Sequence, residues 1–266
     1  MKNDENMDNR ISLNDGFFDL KINEQIPQFR NIYKKEYELI RAIKTLFDKV
    51  SHNFIGQTIT ENELYLSTAI VEINKLFQSA VVLFERGLLE SGNIIIRSCL
   101  ELSFKIIELT KNENFVHDMK KEVNSETRST LNIINEKKLY NLIPKETVDE
   151  LLSKLNLKEP KFKINAIQLA EKNDLLDAYI IYRLYCNESH QSMATLSEIQ
   201  IFDGEGVRLN GNLRLEDFSK AIYMLISVVV IPFPTLIEKF SDYVELKEQY
   251  EALAEDIKNT FENKDA

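Results

Sequence analysis

The chain has 266 residues, 44% of them hydrophobic, which is enough for a substantial core and sets a soft expectation of one or two domains. Seven glycines and five prolines are too few for a turn-rich β protein or for many βα loops. A net charge of −10, spread over 33 basic and 43 acidic side chains, argues against a general nucleic-acid-binding surface while leaving room for a small basic cleft.

Residues 1–16 are polar and aperiodic and read as a disordered tail, with no secretory leader. A single helical domain is expected over 17–261. Its first helix runs from about Pro27 to His52 through Ile32, Tyr33, Tyr37, Ile40, Ile43 and Phe47. Thr60 followed by Glu63 is a capping-box signature, and the helix behind it extends to about Glu90. Gly92 marks a break or a close approach of backbones, and another helix follows from Asn93 to about Leu109.

The stretch 111–172 is more polar and reads as a side subdomain. Phe115 to Asn135 forms one amphipathic helix, Pro144 opens a second, and Lys163 to Lys172 is a third, short one. Asn173 or Asp174 caps the next helix, which carries Tyr179 to about Ser197. Asp203-Gly-Glu-Gly206 lies between two short apolar runs and predicts one small β-hairpin near 199–210. Leu215 to Phe240 and Ser241 to Phe261 complete the helices, and 262–266 should fray. The predicted fold is therefore all-α, a multi-helix bundle of about seven to nine helices. Ala221 to Phe233 is the longest apolar run. Ser227 and Pro232 interrupt it, and it falls short of the roughly 20 residues a span requires, so a buried helix and no membrane are expected.

Two polar groupings stand out. Arg86, Glu90, Asn93, Arg97, Glu101, Lys105 and Glu108 step by three or four, which at about 100° per residue makes one narrow stripe. Such a stripe is either the wet face of an amphipathic helix or, because the rest of this helix is so apolar, the wall of an internal cleft. In the second case Arg97 needs a partner, and Glu101 is one turn away. The second grouping is Tyr179, Tyr182, Arg183, Cys186 and His190. Arg183 and His190 return to nearly the same azimuth after two turns, about 10 Å apart along the axis. Histidine moves its proton near neutral pH, and an adjacent arginine suits charge developing on a phosphoryl group.

Taken together, Arg97-x-x-x-Glu101 and Tyr182-Arg183-x-x-Cys186-x-x-x-His190-x-Ser192 resemble an uncharacterised family of bacterial all-helical proteins showing R-x-x-x-E and, much later, Y-R-x-x-S-x-x-x-H. The likeness covers roughly residues 60–240, with Cys186 where the family usually has Ser. Arg183 and His190, with six residues between them, are also similar to the Arg–His spacing of the HEPN superfamily, although Leu184 stands where active members usually carry a polar residue. That resemblance implies a metal-independent ribonuclease serving in stress or phage defence. In it His190 and Arg183 are catalytic, with His190 as general acid or base and Arg183 stabilising the phosphorane. Arg97, Glu101, Tyr182, Tyr179 and Cys186 bind or orient, and two copies of the motif meet in a symmetric homodimer. RNA or a partner protein is then the expected partner.

Other chemistry lacks a signature. His52 and His117 fall in different helices without ligand spacing, so no metal is expected. No glycine-rich phosphate loop or G-x-S-x-G elbow is present, and no cofactor is expected. Cys99 and Cys186 stand alone, as free thiols do in a reducing, cytoplasmic compartment. The competing expectation is a non-catalytic binding or scaffold protein in which the Arg/Glu/Tyr/His cluster only holds a ligand, a partner or the fold.

Overall fold

The computed structural model describes residues 21–55, 59–155, 160–189, 200–202, 207–209, 215–240 and 244–261. In chain order the helices are α1 (Lys21–Ile32), α2 (Lys34–His52), α3 (Glu61–Glu85), α4 (Leu89–Lys111), α5 (Phe115–Glu136) and α6 (Lys145–Lys154). They are followed by α7 (Ala166–Lys172), α8 (Leu176–Ser189), α9 (Leu215–Val229), α10 (Phe233–Lys239) and α11 (Val244–Phe261). Strands β1 (Gln200–Phe202) and β2 (Val207–Leu209) pair antiparallel with Gln200 opposite Leu209. Three residue pairs make no layer, so the architecture is all-helical and the small β-hairpin expected near 199–210 is not an architectural element of it.

There are more helical segments than the seven to nine expected, for local reasons. Tyr33, at φ −100° and ψ 36°, divides the helix expected over Pro27–His52 into α1 and α2. α1 starts at Lys21 and tolerates Pro27 in its interior. A turn over residues 230–232, ending at Pro232, likewise divides the helix expected over Leu215–Phe240.

The α3–α4 hairpin is the centre of the bundle. α3 begins at the expected capping box: the Thr60 hydroxyl accepts from the Glu63 amide at 3.2 Å, and the Glu63 carboxylate accepts from the Thr60 amide at 2.8 Å. The Thr60 amide bond leads the effects that hold the Glu63 carboxyl below its ordinary range. α3 ends earlier than expected, because Gly87 adopts φ 76°. The Gly87 amide donates to Phe84 and the Leu88 amide to Leu83, the paired bonds of a Schellman stop. Gly92 is therefore no break. It lies inside α4, where a Cβ would come within 2.1 Å of Cε1 of Phe84. The absence of a side chain there lets α4 close on α3.

α4 packs against α3, α5, α7, α8, α9 and α10. Its Ile96, Cys99, Leu100, Phe104, Ile106 and Leu109 are buried in one core with Leu66, Ile70, Ile73 and Phe77 of α3 and with Phe218, Ile222 and Ile226 of α9. Cys99 is a packing residue, and burial pushes its thiol up to about 12. By length and composition, Glu61–Glu85 and Asp217–Lys239 could each cross a membrane. Both carry core residues here, as central helices of a bundle do. α2 and α11 cover the α9 side, where Phe47, Phe233 and Tyr250 meet ring to ring. α6 folds onto the far end of α5 over a separate small cluster of Leu131, Ile134 and Val148.

Buried carboxylates tie outer helices to this centre. Arg30 of α1 grips Glu85 with two donors, at 2.7 and 3.2 Å, and the Tyr37 hydroxyl donates to the same carboxylate at 2.6 Å. Burial, together with the Glu85 contact, pushes the Tyr37 phenol far above its usual range. Glu108 of α4 is 1% exposed. It pairs with Lys172 of α7 and accepts from the Asn112 amide group at 2.8 Å and from that of Asn173 at 3.5 Å. Asn173 and Asp174 thus close α7 rather than cap α8. Asp174 takes φ 57°, and the Leu175 amide donates back to Ala170.

Gly92→Ala tests the close approach. The added methyl meets a fully buried ring, so an overpacking cost of about 1–3 kcal/mol outweighs a helix-propensity gain of about 1 kcal/mol. The variant should unfold at lower denaturant, with an unchanged slope. Glu108 gives a pH signature. Burial raises its pKa, but Lys172 and the two asparagines outweigh burial and leave the carboxyl below its ordinary value. Its stabilisation is therefore complete above about pH 4.3 and is lost as pH falls through the lowered folded value. Urea titrations from pH 7 to pH 3 should show this loss, and Glu108→Gln should flatten it.

Candidate functional site

The polar stripe of α4 emerges where the surrounding helices part. α5 leans on one side of α4 and α7 with α8 on the other, and between them lies a cleft of about 930 Å³. Arg97, Glu101 and Lys105 form its floor, so the stripe is a cleft wall over these residues and not simply a wet face. Glu108, at the end of the stripe, is buried in the tie to α7. Arg86 is not part of it: it caps α3 and donates to Asn23 at 3.0 Å.

The α8 wall is held in place from the floor. Arg97 Nε donates to Cys186 Sγ at 3.2 Å and Arg97 Nη2 donates to the Tyr182 hydroxyl at 3.3 Å. The same guanidinium sits 5.3 Å from the centre of the Tyr182 ring. Glu101, expected as the main partner of Arg97, is only an ion-pair neighbour at 3.6 Å. With the two side chains 28% and 39% exposed, that contact contributes little. The bond to Cys186 leads the effects that raise the Arg97 pKa, and burial leads those that raise the Tyr182 phenol. Tyr182 also meets Phe104 edge-on at 6.3 Å and stacks on Tyr179 at 5.8 Å and 29°.

The opposite wall is α5 with the non-helical segment 160–165. The Phe162 amide donates to Ser125 Oγ at 3.0 Å, the Ile164 amide to Glu122 Oε1 at 2.8 Å, and Arg128 Nη2 to the Pro160 carbonyl at 3.3 Å. Glu122 also faces Lys105 at 3.6 Å across the floor. Lys163 reaches the cleft from this segment.

Arg97, Glu101, Tyr179, Tyr182 and Arg183 therefore share one cleft, although α4 and α8 are far apart in sequence. Cys186 belongs to the same cluster but is buried behind Arg97. His190 lies outside the described residues. Lys105, Lys120, Glu122, Glu126 and Lys163 complete the charged lining. Lys105 was part of the polar stripe, but sequence reasoning did not assign the other four to a site, since each looks like an ordinary surface charge; only the i, i+4 spacing of Glu122 and Glu126 hints at a shared face.

Among the described residues, five cations and three carboxylates line the cleft of a chain whose net charge is −10. Lys105 is committed to Glu101 and Glu122, and Lys120 to Glu61. Among the described residues no carboxylate pairs with Arg183 or Lys163, which leaves two cations for an anionic ligand. No cluster of His, Cys, Asp and Glu suited to a metal ion occurs among the described residues; His52 and His117 are exposed on α2 and α5.

Residues 63–206, more than half of the chain, match the sequence model of a family whose function is unknown. No curated protein and no solved structure matches the chain.

Arg97→Ala should loosen α8 from α4 and lower stability by about 1 kcal/mol, a figure reduced for partial exposure. Arg97→Lys should recover only part of it, because an ammonium cannot span the sulfur and the hydroxyl as a planar fork does. Equilibrium unfolding of the two variants, with amide exchange along α8, measures both effects.

Proposed function

The chain belongs to DUF5677, a family of unknown function, and from that premise we propose that its cleft binds RNA and that the protein is a HEPN-like, metal-independent ribonuclease. The observation that carries this reading is Arg183, exposed on the α8 wall beside a stacked tyrosine pair and without a carboxylate partner among the described residues. A guanidinium so disposed is available to a phosphate in bidentate fashion.

In this reading a ribose 2′-hydroxyl attacks the adjacent phosphorus. The bond from phosphorus to the 5′ oxygen breaks, leaving a cyclic phosphate on one fragment and a 5′-hydroxyl on the other. His190, seven residues after Arg183 in the sequence, takes or supplies the proton at those oxygens. Arg183 stabilises the charge on the equatorial oxygens as the phosphorane forms. The active unit is a symmetric homodimer, and the setting is a bacterial cytoplasm under stress or phage attack.

A second reading, a non-catalytic binding or scaffold protein, is favoured by the way Arg97 spends both of its contacts on α8. In that case the cluster maintains the cleft and performs no chemistry.

One assay separates the two. Purified protein in excess chelator should shorten a labelled RNA and leave cyclic-phosphate ends. His190→Ala and Arg183→Ala should each slow this by about 10²- to 10⁴-fold with little change in melting temperature. Intact RNA with wild-type protein, or equal rates with both variants, excludes the ribonuclease and leaves the scaffold.

A further inference from the structure

Resting on the RNA-binding reading of the cleft, we infer that Tyr179 is the platform on which one nucleobase of the ligand stacks, with Arg183 taking the phosphate next to that base. Tyr182 cannot be the platform. Its hydroxyl and ring are engaged by Arg97, its edge meets Phe104, and burial raises its phenol, all marks of a ring serving the fold. Tyr179 differs in its contacts. It packs in part against the core and, like Tyr182, lines the cleft, but its one described ring partner is Tyr182 and no described residue engages its hydroxyl. The pair is already stacked at 5.8 Å and 29°, so a base laid on Tyr179 extends an existing column of planar groups, and no ring has to be reordered for it.

The spacing on α8 supports the second half of the assignment. Tyr179 and Arg183 are one turn apart, with Cβ atoms roughly 5–6 Å from each other on the same helix face. A nucleotide offers a flat base and a charged phosphate at comparable separation, joined by its sugar. Lys163, on the facing wall, is the other cation without a carboxylate partner among the described residues and suits the next phosphate along the strand. The three carboxylates of the lining keep the cleft from acting as a general polyanion trap, so contact with the base must carry a large share of the affinity. A base inside a duplex has both faces covered, so this subsite accepts only an unpaired nucleotide.

The test uses the full chain and a short, fluorescein-labelled single-stranded RNA carrying 2′-O-methyl groups, which cannot be cut. Tyr179→Leu should weaken binding by roughly ten- to hundredfold, while Tyr179→Phe, which keeps the ring, should stay within about threefold of wild type. Scanning a single abasic position along the oligonucleotide should find one site that weakens wild type strongly and Tyr179→Leu hardly at all. A duplex of the same sequence should bind poorly. Equal affinity of wild type and Tyr179→Leu for an oligonucleotide that wild type does bind overturns the platform and leaves the RNA reading standing. Wild-type protein that binds no RNA overturns both. Binding that depends on Tyr179 in a protein that cuts no RNA supports the platform and removes only the catalysis.

Discussion

Everything in this molecule is arranged around one constraint: α4 must be buried on most of its circumference and still keep a line of charges. Six helices pack on it. A buried arginine or glutamate without a partner would cost several kcal/mol, so the charged line can persist only where those helices leave a gap or supply a partner. Both solutions occur along the same stripe. Arg97, Glu101 and Lys105 meet the gap, and Glu108 meets Lys172, Asn112 and Asn173. The cleft is thus a direct result of threading a polar stripe through an apolar core. The close seating of α4 on α3 at Gly92 and Phe84 holds this arrangement from the opposite side.

The outer helices are attached by a common device. A carboxylate or guanidinium on a central helix is held by polar side chains of peripheral ones: Glu85 by Arg30 of α1 and Tyr37 of α2, Glu108 by Lys172 of α7, and Arg97 by Tyr182 and Cys186 of α8. Such contacts add less to net stability than the apolar area around them, because the charges surrender hydration to make them. Their value is directional. An apolar face can slide by a turn at little cost, whereas a forked pair cannot. α8 shows both kinds of contact. Its Ala178 and Cys186 are buried and its Ile181 and Tyr185 pack on the core, while Arg97 adds a polar contact from the floor.

Arg97 engages Tyr182 and Cys186, and Tyr179 and Arg183 of the same helix line the open cleft beside them. Among the described residues the cleft lining holds five cations and three carboxylates; Arg97, Lys105 and Lys120 face acidic neighbours, and Arg183 and Lys163 do not.

The helical class, the capping box at Thr60, the extent of α5, the apolar character of α4 and the grouping of Tyr179, Tyr182 and Arg183 on one side of α8 were all readable from the chain, since each rests on local spacing and short-range bonds. Likeness to an uncharacterised family, expected over roughly residues 60–240, was readable too, and the family match spans residues 63–206. The division of two helices at Tyr33 and around Pro232, and the use of Gly87 rather than Gly92 as a stop, turn on backbone angles that several residues can adopt. Which partner Arg97 would choose was beyond the sequence altogether. Glu101 is close in the chain, but Cys186 and Tyr182 are closer in space, and that proximity exists only once α8 has folded across α4. Local residue order therefore determined the helices and the faces they carry. Tertiary packing decided which charges were neutralised and which stayed open, because the cost of an unpaired charge depends on neighbours brought from distant parts of the chain.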